Sequence, residues 1–126
     1  MAEFNSQTYI PDALTAGNEH LLVGKKVTIS TLQNLRRGAV LGKVDVFGTI
    51  EYVLSDAGAS NGSEIPDLIL AEDCDATDGA KEAMAYSRGD FNASAMVLGD
   101  GHTIDSIKEG LRVKGIIIVG AGVAGL

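Results

Sequence analysis

Lys25-Lys26-Val27-Thr28-Ile29-Ser30 alternates with a period of two, and its apolar members are β-branched. That pattern suits a pleated, half-buried strand. Runs of similar character follow it. Gly38-Ala39-Val40-Leu41-Gly42-Lys43-Val44 reads as a second strand and Thr49-Ile50-Glu51-Tyr52-Val53-Leu54 as a third. Asp67 to Glu72 contains Leu68-Ile69-Leu70-Ala71, a candidate buried strand. Phe91 to Leu98 reads as another strand. Lys114 to Val119 is the last and the most apolar, and Ile116 to Val119 offers no polar face. Both of its faces are expected to be covered, by the core or by a neighbour. Asn34 to Arg37 reads as a polar turn, residues 55 to 63 as a loop, and Asp100-Gly101 as a turn.

One helix is expected. Thr103 is a candidate N-cap, Asp105 lies in the first turn, and Ile104, Ile107 and Leu111 recur at three and four. The spacing predicts a short amphipathic helix over Ile104 to Arg112. Asp78 to Tyr86 supports two readings. Ala80 to Ala85 has helix propensity behind a capping Asp78, whereas Met84, Tyr86 and Arg88 fit one side of a strand. About seven strands and one helix make a mainly β domain. Sixteen glycines agree with many turns and argue against a helical bundle.

Residues 1–24 lack periodicity. Phe4, Tyr9, Ile10 and Leu14 are apolar beads on a polar string, interrupted by Pro11 and Gly17. They read as a flexible N-terminal arm ahead of a single β-rich domain, 25–126. The arm is expected to dock on a partner through Phe4, Tyr9, Ile10 and Pro11.

Composition narrows the function. Ten basic against 17 acidic residues give a net charge of −7, so phosphate backbones would repel the chain and nucleic acid is not expected as a partner. One cysteine, Cys74, excludes an internal disulfide framework. The start carries no basic region and no apolar core of a leader. Gly115 to Leu126 is uncharged but falls short of the roughly 20 residues a spanning helix needs. A cytosol-like compartment is expected, with no membrane partner.

Three motifs point elsewhere and are outweighed. Ile116-Ile117-Ile118-Val119-Gly120-Ala121-Gly122-Val123-Ala124-Gly125 is a strand followed by G-x-G-x-x-G. A dinucleotide site also needs the following helix and a second strand with a carboxylate, and the sequence stops at Leu126. Registered on Asp73, a calcium loop would need glycine where Asp78 stands and glutamate where Met84 stands, so an acidic turn is the reading. Arg88-Gly89-Asp90 reads as a glycine turn with flanking charges. His20 and His102 read as solvated loop residues. Carboxylates around Cys74 should raise its pKa and blunt it as a nucleophile. No catalytic residue, metal ligand or cofactor is assigned.

The segments in order are Leu35-Arg36-Arg37-Gly38-Ala39-Val40-Leu41-Gly42-Lys43-Val44, then Ile65-Pro66-Asp67 through Thr77, then Tyr86-Ser87-Arg88-Gly89-Asp90-Phe91-Asn92, then Gly115 to Val119. This order resembles the head decoration proteins of tailed bacteriophages, relatives of the lambda capsid-stabilising protein, over about residues 20 to 120. The tail from Gly120 to Leu126 has no counterpart in that resemblance. The resemblance implies a small β-clip or β-tulip domain and makes Lys81 to Arg88 a strand. It implies a homotrimer that binds the major capsid protein at local threefold positions on the outside of an expanded head. It also implies no enzyme activity and no cofactor. The alternative is a small soluble β-domain with a ligand-binding or catalytic role unrelated to capsids.

Overall fold

The computed structural model describes residues 14–17 and 19–119. Eight strands and one helix follow a short 3-10 turn: β1 (Val23–Ile29), β2 (Asn34–Leu35), β3 (Val40–Val46), β4 (Thr49–Leu54), β5 (Pro66–Leu70), β6 (Cys74–Asp75), β7 (Lys81–Asn92), α1 (Ile104–Val113) and β8 (Ile116–Val119). The chain is a mainly β domain with one helix near its C-terminus.

The main sheet runs β1-β4-β3-β5-β7-β8, and β1 also pairs with β7. Five strands therefore close into a ring, and β8 branches from it. All the ring pairings are antiparallel except one. β1 and β4 run parallel and meet only at Ile29↔Tyr52. The long β7 makes the branch possible. Its first part pairs with β1, from Ile29↔Lys81 to Val23↔Arg88, and its last four residues pair with β8.

The alternating strands bury two separate apolar sets. Val27, Ile29, Leu41, Tyr52, Leu68 and Ala85 fill the inside of the ring, and β2 and β6 close one end with Leu35, Cys74 and Ala76. The opposite sheet face carries the second set. There Phe91, Ile69 and Val40 meet Ile107 and Leu111 of α1 and Ile116 and Ile118 of β8. The helix forms as its spacing predicts. Thr103 caps it in a reciprocal capping box with Ser106, and Ile107 and Leu111 face inward.

Lys81 onward is strand, as the resemblance implies, because antiparallel pairing with β1 and burial of Ala83 and Ala85 outweigh local helix propensity. Other expectations change. The strand read over Phe91 to Leu98 ends at Asn92, and Ala93–Ala95 is a 3-10 turn. Asn34–Leu35, read as turn, is a two-residue strand against Cys74–Asp75. Arg88-Gly89-Asp90 lies within β7, not in a turn. Gly89 holds a φ of 144°, a backbone conformation that side chains rarely adopt, so glycine suits that position of the strand. Within the single chain the core covers one face of β8: Ile116 and Ile118 point inward, whereas Ile117 is 36% exposed, which leaves that face to a neighbour.

Residues 14–17 and 19–24, read as the inner part of the arm, lie on the body. Leu14 is 1% exposed within the second core. Its carbonyl accepts from the Asn92 N–H at 2.8 Å, and Thr15 bridges Phe91. Val23 and Gly24 already belong to β1.

Candidate binding surface

The strand directions gather several features at one rim of the ring. β1, β4 and β5 begin there, and β3 and β7 end there. Leu14, where the described chain begins, sits beside the last residue of β7 at this rim. Val119, the last described residue, pairs with Asn92 at the same rim. Phe4, Tyr9, Ile10 and Pro11, the expected contact residues, lie outside the described residues, as does the glycine motif from Gly120.

The rim also carries exposed apolar groups. The β3–β4 hairpin turns through Phe47 (φ 52) and Gly48 (φ 88), with the Gly48 N–H donating to Asp45 Oδ1 at 2.7 Å. Two positive φ values mark a type I′ turn, which favours Asn-Gly. Here a fully exposed phenylalanine occupies the first position. Ile50 and Ile65 are exposed nearby and share a cavity of about 470 Å³ with Lys43, Asp67 and Lys114. An adjoining cavity of about 570 Å³ is lined by Lys25, Lys26, Lys43, Ile50 and Tyr52 together with Asp67 and Glu82. Four of the six lysines thus line the two cavities, interleaved with Asp45, Asp67 and Glu82, and Lys26 pairs with Glu82 at 3.6 Å.

Polar groups fix the floor of these cavities. Tyr52 Oη donates to Asp67 Oδ2 at 3.3 Å, and Lys114 Nζ donates to Asp67 Oδ1 at 2.9 Å. Burial, and then the Asp67 carboxylate, push the Tyr52 hydroxyl above its ordinary pKa. The phenol therefore stays a neutral donor across the physiological range.

The Ser55–His102 pair and Cys74 are committed to structure. Ser55 Oγ lies 2.9 Å from His102 Nε2, a pairing not legible in the sequence because 47 residues separate the two. His102 is accordingly not the solvated loop residue expected. The pair does not make a nucleophile. Ser55 is fully buried and its hydroxyl donates to the Ser63 carbonyl at 2.7 Å, so the imidazole N–H is the donor to Ser55. The bond ties the loop after β4 to the segment before α1. Cys74 is buried in the ring's closed end. Burial is the first cause that raises its thiol pKa, with Glu72 and Asp75 adding to it and Lys81 opposing it.

The acidic segment that resembles a calcium loop spends its carboxylates on the chain itself. Asp73 accepts from the Arg37 N–H, Glu72 from the Met84 N–H, and Asp75 from the Thr77 N–H and hydroxyl. The Thr77 bonds hold the Asp75 carboxyl below its usual range. Among the described residues no group of three or more His, Cys, Asp or Glu side chains is placed to hold a metal ion. None of the described helices is long and apolar enough to cross a membrane.

A family model for the bacteriophage lambda head decoration protein D matches residues 4–115. The chain belongs to that family. The match covers most of the sequence, beginning within the arm at Phe4 and ending at Gly115, just ahead of β8. It therefore reaches further toward the N-terminus than the resemblance over about residues 20 to 120, and stops short of the last strand. No curated protein matches the chain. Members of a head decoration family are structural components of phage heads, and the role that membership supports here is capsid decoration. The exposed rim is consequently weighed as a protein-contact surface.

Proposed function

We propose that the protein binds the outside of an expanded phage head as a homotrimer at local threefold positions and stabilises it. The observation that carries this reading is the family match over residues 4–115. On this reading the protein's partners are two further copies of itself and the major capsid protein. It has no enzyme activity and uses no cofactor. It is made in the host cytoplasm and ends on the virion exterior.

The arm supplies the shell contact through Phe4, Tyr9, Ile10 and Pro11. An extended segment can add to an exposed sheet edge, where main-chain hydrogen bonds give affinity and alternate side chains give register. Each arm loses ordering entropy on binding and so binds weakly alone. Three arms on one trimer offset that through effective concentration, worth about 10²- to 10⁴-fold when geometry permits. The rim geometry supports this, since Leu14 and the exposed Phe47 hairpin lie at the same rim of the ring. The test is addition of purified protein to expanded, undecorated shells. Density at the threefold positions is expected. Shells that remain bare at saturating protein would refute the reading.

A further inference from the structure

Of the five asparagines only Asn61 is followed by glycine, and the loop between β4 and β5 surrounds that pair with groups suited to one reaction. Asn61 is exposed, and its side chain folds back over its own peptide in an Asx turn. Its Oδ1 accepts two bonds from Ser63, from the N–H at 3.1 Å and from the hydroxyl at 2.6 Å. The ring closed by the first of these bonds contains both the Asn61 Cγ and the Gly62 nitrogen, which keeps the two close. The Gly62 N–H donates to Glu64 Oε1 at 2.9 Å. Gly62 holds a φ of 103° and has no side chain to shield its nitrogen. Ser63 is fixed from the other side. It is 2% exposed, its carbonyl accepts from Ser55 Oγ at 2.7 Å, and a Cβ on Gly42 would collide with that carbonyl. Packing against the body therefore aims the two donors at Asn61.

We propose that Asn61-Gly62 is a self-modification site, at which the fold promotes loss of ammonia from Asn61 through a cyclic imide. The Gly62 nitrogen attacks the Asn61 Cγ. A bond forms between them as the Gly62 proton passes to the Glu64 carboxylate, which acts as general base. Negative charge develops on Oδ1, where the Ser63 N–H and hydroxyl already point. The intermediate then collapses. The Cγ–Nδ2 bond breaks, the leaving nitrogen takes the proton back from Glu64, and ammonia departs. Water opens the imide ring at either carbonyl and leaves aspartate or isoaspartate at position 61. Aspartate keeps an acceptor oxygen facing Ser63. Isoaspartate instead lengthens the main chain by one carbon just ahead of the buried Ser63, and so strains the tie between Ser63 and Ser55. The sequence supplies the amide and the unhindered nucleophile. The fold adds the base and the two donors, which hold their places before the reaction begins. The chemistry acts on the chain alone and does not depend on the capsid reading.

Peptide mapping by mass spectrometry tests it on the full chain, incubated folded at neutral pH, against a synthetic peptide of residues 55–67. Conversion reads as a gain of about one dalton on the fragment that contains Asn61, and hydroxylamine cleavage after Asn61 reports the imide. The folded chain should convert at least about tenfold faster than the peptide, and Glu64→Gln should remove most of that gain. The folded rate should also rise less steeply with pH than the peptide's, because a resident carboxylate takes the place of hydroxide as the base. Ser63→Ala should slow conversion as well, with circular dichroism to show that it folds. Glu64 lies outside both cores, so Glu64→Gln keeps the test valid if the Ser63 variant unfolds. Asn34 and Asn92, followed by leucine and alanine, should stay intact in the same digest. A folded rate no greater than the peptide's would overturn the proposal, since the fold would then not promote the reaction. Equal rates in the parent and in Glu64→Gln would overturn it too.

Discussion

Phe47 shows a residue conserving neither energy nor burial. It holds a left-handed backbone conformation at full exposure, and no packing within the described chain offsets the cost. Replacing it with asparagine, which the type I′ turn favours, should stabilise the subunit by about 1 kcal/mol. A urea midpoint that does not rise would contradict this. Tyr52 makes a second prediction. Its folded pKa lies above the unfolded value, so its contribution to stability is in place below about pH 10 and lost as the pH climbs through the folded pKa. Tyr52→Phe should therefore lose less stability than the parent between pH 10 and 12, read as thermal midpoints. The Ser55–His102 contact illustrates a limit at this scale. Two ordinary residues far apart in sequence meet only because Gly99 lets the chain pass against the Ser55 carbonyl, where any Cβ would collide.

Among the elements, the arm and β8 were the least legible. Leu14 looks in sequence like another bead of the arm, yet it is as buried as any core residue. Leu14→Ala should cost about 2–5 kcal/mol, whereas deletion of residues 2–11 should leave the thermal midpoint of the subunit within a few degrees. On the capsid reading, that deletion should also sharply reduce decoration of expanded shells and their resistance to heat. Decoration as tight as full length would place the contact on the β body. The run Ile116 to Val119 suggested cover on both faces, but alternation splits it. Ile116→Asp should unfold the subunit, because Ile116 is fully buried. Ile117→Asp should fold and weaken association between copies, and circular dichroism with gel filtration separates the two outcomes. The first part of β7 was ambiguous because alanine-rich sequence suits either state, and only its seven partners in β1 decide it.

For the whole molecule, the capsid reading predicts a trimer eluting near three times 13.1 kDa. A monomer at micromolar concentration would count against it. The single chain leaves Ile117, Phe47, Ile50 and Ile65 exposed, more apolar surface at the rim and along β8 than a lone subunit needs.

The sequence by itself determined the class. Period-two β-branched runs, sixteen glycines and one capped helix sufficed for a mainly β domain, because alternation and capping are local and each needs only neighbours in the chain. The order of its segments sufficed for the family. Tertiary structure alone decided the rest. The ring closes through β1–β7 pairing across more than fifty residues and through the single β1–β4 pair Ile29↔Tyr52. Such pairings depend on which edges come together once the two cores are buried. That is a property of the packed sheet, and no window of sequence contains it.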